Sequence, residues 1–257
     1  MTTTLELVTY LDGLLENATT PDFPNAANGL QLSNSGSVTR IAAAVDFSSR
    51  SVRAAVAAKA DFLLVHHGMF WQGIKPLTGA MYERTKLLFN HDIAVYASHL
   101  PLDKHPEFGN NALLARHLGL EPSGNFGQFK TVWIGVRGSA DIETADIIER
   151  ARRFARNHGG DVVHTAAPAE RRTHQWAVCT GSGASAETLQ EASKLGIDTL
   201  IVGEGPHWTA VEAEELGIAV IYAGHYATET LGVAALAKHL ADRFDVEWIM
   251  IHAPTGL

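Results

Sequence analysis

Two adjacent imidazoles, His66 and His67, close the apolar run Ala60-Asp61-Phe62-Leu63-Leu64-Val65, and Gly68 follows them. Far along the chain, Gly224-His225-Tyr226-Ala227-Thr228-Glu229 follows a second run, Ile218-Ala219-Val220-Ile221-Tyr222-Ala223. Between the two lies His99-Leu100-Pro101-Leu102-Asp103, again just past an apolar run, Ile93 to Ala97. Imidazoles and carboxylates are ligands for divalent metals, and the carboxyl ends of parallel strands are where an open α/β sheet binds its ligands. A metal held there polarises a substrate oxygen or acidifies a water.

Each residue also has a plainer reading. A strand-end histidine can hydrogen-bond to a loop, Asp103 can cap a helix starting near Asn110 and Asn111, and Glu229 suits the first turn of a helix. Several groups of ligand-type residues at the same kind of position favour the metal reading. Neighbouring strand residues point to opposite faces, so His66 and His67 share a site if the strand ends at Val65, as Gly68 suggests. His99 and Asp103 are four apart, as are His225 and Glu229, and on a helix such pairs share a face. Pro101 argues against a regular helix for the first pair.

The elements that must position these residues repeat. Ile41 to Asp46 resembles Trp176 to Gly181, and each is followed by a serine-containing turn and a helical pattern, Ser51 to Lys59 and Ala186 to Leu195. Ala60 to Gly68 matches Ile197 to Gly205, and Asp92 to His99 matches Gly217 to His225. Continuous apolar runs alternating with helical patterns mean parallel βαβ units covered on both faces. The expected fold is α/β, two interlocked domains built on pseudo-repeated parallel βαβ units. The domains are expected at 1–125 plus 222–257, the metal-site domain, and 126–221. An Arg/Glu-rich helix, Ile142 to Asn157, belongs to the second, with Arg150, Arg152, Arg153 and Arg156 as a solvated face.

Composition narrows the partners. The chain has 257 residues, 46% of them hydrophobic and 19% charged, as in an ordinary globular protein. A net charge of −8 gives no support to general nucleic-acid binding, and no apolar run is long enough to span a bilayer. The single cysteine, Cys179, excludes an internal disulfide framework and a Cys-rich zinc finger. With no basic and apolar leader at the start, a cytoplasmic location is expected.

Taken together, His66-His67-Gly68, His99 through Asp103 and Gly224-His225-Tyr226-Ala227-Thr228-Glu229 resemble the NIF-three-like family of dinuclear-metal-centre hexameric proteins. Some of its bacterial members are called GTP cyclohydrolase 1 type 2. Asn28-Gly29-Leu30-Gln31 and Val45-Asp46 extend the resemblance over the whole chain. It implies two divalent ions per chain, held by His66, His67, Asp103, His225 and Glu229, in a ring-shaped homohexamer. The stretch Lys104-His105-Pro106-Glu107-Phe108-Gly109 departs from the small residues and glycines of many members, so no substrate carries over.

The donor set suits Zn, Fe, Mn, Co or Ni alike. The expected activity is a metal-dependent hydrolase acting on a small polar or nucleotide substrate. Glu204 and His207 stand at the matching strand end of the second half, with Glu204 a candidate general base or orienting group. His99 is a candidate catalytic or orienting residue. The alternatives are a non-enzymatic hexameric scaffold, metallochaperone or regulator, and iron-linked redox chemistry. The chain lacks a Gly-x-Gly-x-x-Gly fingerprint, which argues against a dinucleotide enzyme.

Overall fold

Unbroken apolar runs form the inner strands of both main sheets. In a computed structural model describing residues 2–257, the chain forms two units: 1–102 with 232–253, and 103–231 with 254–257. The helix Asn110–His117 and the residues His225 to Glu229 therefore belong to the second unit.

The first unit holds a five-stranded sheet. Its order is Glu247–Met250, Arg40–Asp46, Phe62–His67, Ala94–Ala97 and Gly29–Leu32. The first four strands run parallel and the last is antiparallel. Ala42, Ala44, Leu63, Val65, Val95 and Ala97 share one core with Val52, Ala55 and Leu88 of the helices Ser49–Ala57 and Gly79–Asn90. The residues in opposite phase, Ile41, Ala43, Phe62, Leu64 and Tyr96, are buried as well. A strand covered on both faces reads as an unbroken apolar run, which is why these runs are legible in the sequence.

The second unit holds six strands in the order Gly124–Phe129, Val132–Glu143, Arg172–Cys179, Thr199–Val202, Ala219–Tyr222 and Val163–His164. The third to fifth are parallel and the flanking ones antiparallel. Val178, Ile201 and Ile221 pack with the helices Asn110–His117 and Thr144–Asn157. Ala177, Leu200, Val202 and Val220 pack with Leu189 and Ala213, on the helices Ala186–Lys194 and His207–Glu215. The expected helix from Ile142 starts at Thr144, because Ile142 is still paired with Thr173 in the sheet. Its arginines are locally engaged, Arg152 with Glu149 at 2.7 Å and Arg156 with Asp161 at 3.1 Å.

The two units share a local design. Ser48 caps Ser49–Ala57 in a reciprocal box with Ser51, and Ser185 caps Ala186–Lys194 in the same box with Thr188. Ser51 Oγ also donates to Asp46 O, and Thr188 Oγ1 to Gly183 O, five residues back in both cases. Strand registers agree too: Val65 pairs with Ala97 as Val202 pairs with Tyr222. A one-turn helix follows Ala94–Ala97 and another follows Ala219–Tyr222, Leu100–Asp103 and His225–Thr228 respectively. Pro101 does not prevent the first, since it stands in the opening turn, where a missing N–H costs nothing. No helix is long and apolar enough to cross a membrane among the described residues.

Candidate metal centre

In the first unit the strand carrying His66 and His67 does not end at Val65. It continues to His67, still paired with Arg40–Asp46 through Asp46, whereas its pairing with Ala94–Ala97 stops at Val65. With that neighbour gone, both rings gather at the strand end despite their opposite phase, their centroids 4.8 Å apart. His66 Nδ1 donates to Ser98 O at 2.9 Å, and His67 Nδ1 to Asp46 Oδ1 at 2.9 Å. A carbonyl oxygen can only accept, so His66 must carry its proton on Nδ1, and a neutral ring then has its lone pair on Nε2. His99 joins them, its centroid 4.9 Å from His66 and 5.6 Å from His67. One nitrogen from each of the three lies within 4.8 Å of the others, and all three residues are buried.

Asp22 stands behind His99. Its buried carboxylate accepts from His99 Nδ1 at 2.9 Å, Phe23 N at 2.6 Å, Asn28 Nδ2 at 2.8 Å and Leu100 N at 3.0 Å. Burial alone would raise its pKa, but His99, Asn28 and the Phe23 N–H together hold it below the ordinary carboxylate range. Asn28 also accepts from His99 N at 2.8 Å, so one asparagine fixes both the histidine and its carboxylate. Gln31 Oε1 takes Met69 N at 2.6 Å, and its amide leaves no room for a side chain at position 68. This explains the glycine after the paired histidines. Trp71 lines the cluster, 4.5 Å from His67 and 4.4 Å from His99 between ring centroids.

In the second unit Gly224, at φ +90°, turns the chain into His225–Thr228. His225 Nδ1 donates to Glu204 Oε1 at 2.8 Å, and its Nε2 lies 3.2 Å from Glu229 Oε2. Ser182 Oγ donates to the same Glu204 oxygen at 3.2 Å. Glu229 is buried against Gly181, whose φ is +61° and where a Cβ would strike the carboxylate. Thr228 Oγ1 accepts from Gly181 N at 3.1 Å and keeps that approach close. Burial disfavours the charged His225 ring, yet hydrogen bonds and charge from Glu229 and then Glu204 outweigh it and push the pKa up to about 10. The raised pKa favours the protonated ring, with Nε2 facing the Glu229 carboxylate.

Asp103 ends the first one-turn helix and is buried, its Oδ1 accepting from Asn110 Nδ2 at 2.9 Å. It does not cap the next helix: the cap is Gly109, with no side-chain hydrogen bond. The stretch 104–109 is a tight turn in which His105 Nδ1 accepts from Glu107 N and Phe108 N and the ring stacks on Phe108. Gly109 is required there because a Cβ would meet Asp103 O and His105 O. Cys179 is buried, and its thiol is pushed up to about 12 by burial first and then by Asp103, Glu191 and Glu229. It is inert as a nucleophile at neutral pH. His207 opens its helix exposed to solvent.

Asp22, Ser98, Trp71, Gly181 and Ser182 carry no sign in the sequence that marks them as part of these clusters. Glycines could be suspected where buried side chains converge, but the partners of the ring nitrogens lie far off in sequence.

The fold and these side chains define a mixed α/β protein with His/Glu groups that could hold a metal. The chain matches the Duf34/NIF3 (NGG1p interacting factor 3) family over residues 2–255, and it belongs to that family. A Deinococcus radiodurans protein named GTP cyclohydrolase 1 type 2 homolog is 40% identical over 98% of this chain and 94% of its own. A Pyrococcus abyssi protein of the same name is 40% identical over 98% of each. Among solved structures, TTHA1606 from Thermus thermophilus superposes with a TM-score of 0.85 at 35% identity, covering 99% of this chain and all of the other. A protein called ybgI, of unknown function, superposes with a TM-score of 0.87 at 31% identity and the same coverage.

One consequence concerns pH. A histidine whose folded pKa is raised above its ordinary value of 6.5 stabilises the fold fully below that value, and the contribution is lost as pH rises through the folded pKa. The chelated protein is therefore expected to lose melting temperature between about pH 6.5 and pH 10. A H225N variant is expected to lose less over the same range. Equal slopes in the two proteins would show that His225 is not held as a cation.

Proposed function

We propose that this protein is a dinuclear, divalent-metal-dependent hydrolase in which His66, His67, Asp103, His225 and Glu229 would hold two ions. The observation that supports this best is the anchoring of the rings. His66, His67 and His225 each commit Nδ1 to a carbonyl or carboxylate oxygen, which would make Nε2 the ligating atom of a neutral ring. His158 and His164 also commit Nδ1 to a backbone oxygen, but neither belongs to a group of converging ligand-type side chains, and it is the combination of anchoring and convergence that supports the reading.

Five protein donors shared between two ions leave open positions, which suits catalysis better than a closed structural site. When bound, such ions supply Lewis acidity and a water whose pKa falls to about 7. The residues of the chain orient the rest. Glu204 is committed to His225 Nδ1 at 2.8 Å, which makes it a positioning carboxylate before it is a base. Asp46 does the same for His67. The relatives' name points to a nucleotide ring as the first substrate to try. A ring-shaped homohexamer is part of the same reading, and exposed apolar side chains such as Leu5, Phe89 and Val163 are surface that assembly could cover.

The test is turnover. Chelated protein is reloaded with Zn, Mn, Fe, Co or Ni and offered nucleoside triphosphates and cyclic amides. Hydrolysis that appears only with metal supports the reading. Unchanged hydrolysis after complete metal removal contradicts it. Metal uptake with no turnover on any substrate favours the non-enzymatic alternative.

A further inference from the structure

We infer that His99 is itself a metal-binding imidazole, the third donor of a three-histidine site in the first unit, held for that task by Asp22 and Asn28. The inference rests on the metal reading above and adds a donor to its ligand set.

Geometry comes first. The three nitrogens lie within 4.8 Å of one another, against about 3.3 Å between donors on a tetrahedral ion with bonds of about 2.0–2.1 Å. Small ring movements would close the set. Trp71 packs on both His67 and His99 and restricts the ring planes.

The support behind His99 is the second line of argument. Asp22 receives four hydrogen bonds, including one from Nδ1 of the ring, and Asn28 receives the backbone N–H of the same residue. A carboxylate on the far nitrogen of an imidazole fixes its tautomer and raises its basicity as a ligand. Asp46 stands in the same relation to His67. A histidine needed only for packing would not require a buried carboxylate with every lone pair directed at a donor. The strand registers add a third point: two residues beyond Ala97 stands His99, and two beyond Tyr222 stands Gly224. The repeat does not demand an imidazole at this position, so its presence belongs to the first unit's own chemistry.

The experiment uses the full chain, chelated and then titrated with Co(II). Binding is followed by the visible absorption of the ion and by competition with a chromogenic chelator. H99A is expected to change the band shape and to weaken cobalt binding about a hundredfold. D22N keeps the ring but swaps one acceptor for a donor, and is expected to weaken binding about tenfold. D22N also carries the test if H99A fails to fold. Wild-type spectra and affinities in both variants would overturn the inference while leaving the metal reading intact. A wild-type protein that takes up no cobalt would overturn both.

Discussion

Exchanging Glu229 for glutamine is expected to leave the protein folded but to weaken metal binding by about a hundredfold. Glutamine keeps the volume of the buried side chain and so keeps the packing against Gly181. It removes the negative charge that faces His225 Nε2 at 3.2 Å, and it can turn an N–H toward that nitrogen. The effect is measurable without an assay for turnover. A ligand present at about a hundred times its Kd stabilises the native state by about 2.7 kcal/mol, and one present at its Kd by about 0.4 kcal/mol. For a domain of this size that corresponds to a rise of about 5–10 °C on adding metal to wild type, against about 1 °C for E229Q. An equal rise in both proteins would remove Glu229 from the ligand set. The variant should also lose part of the pH dependence described for His225, since Glu229 is the larger of the two acidic influences on that ring.

Gly181→Ala is the second large effect, and it acts from the opposite side of the same carboxylate. The backbone there is left-handed at φ +61°, a conformation costing a side-chain-bearing residue about 1–2 kcal/mol. The new methyl would also collide with Glu229 Oε1, adding an overpacking cost of about 1–3 kcal/mol. We expect a loss of about 2–5 kcal/mol and a melting temperature lower by about 5–15 °C. Metal affinity should fall with it, because Glu229 can escape the methyl only by moving away from His225. Isothermal titration with the folded variant at low temperature separates the two effects. Unchanged affinity would mean that Glu229 moves without consequence for the metal. Gly68→Ala should be damaging for a related reason, since Gln31 and Ala97 fill that space, but it strikes the support of the loop and no ligand directly.

These two sites show where sequence reading succeeds and where it stops. The strands are legible because each is covered on both faces and reads as an unbroken apolar run. The spacing of His225 and Glu229 is legible because the one-turn helix between them is local, and the two capping serines announce both helices. His66 and His67 do stand at a strand end, but that end lies later than Gly68 suggests. Gly68 marks a close approach by Gln31, far upstream in the chain, and the strand runs past Val65 to His67 because only one neighbour has ended. Pro101 reads as a helix breaker by its identity, although in a first turn it breaks nothing. Asp22 is out of reach altogether. It lies 77 residues from His99 and sits in a loop whose local pattern offers no sign of a buried carboxylate. Chemistry-bearing residues at element ends leave a local signature, whereas the groups that hold their far nitrogens are chosen by tertiary folding.

The charge pattern carries the same lesson. Arg150, Arg152, Arg153 and Arg156 read as a solvated face in the sequence, and in the structure Arg150 hydrogen-bonds to Leu118 O while Arg152 and Arg156 pair with nearby acids. Exposed pairs of this kind contribute little to stability. With the net charge of −8, this turns attention back to the histidine and carboxylate clusters.

The central claim is that this chain holds two divalent ions, and the most direct measurement is metal per chain. Protein purified without chelators, then analysed by elemental mass spectrometry against its own concentration, is expected to carry about two ions per chain, drawn from Zn, Fe, Mn, Co or Ni. The same preparation of a protein lacking both His67 and Glu229 is expected to carry fewer than one. Wild-type protein that remains metal-free after purification and after incubation with each ion would contradict the account and return these histidines to structural roles.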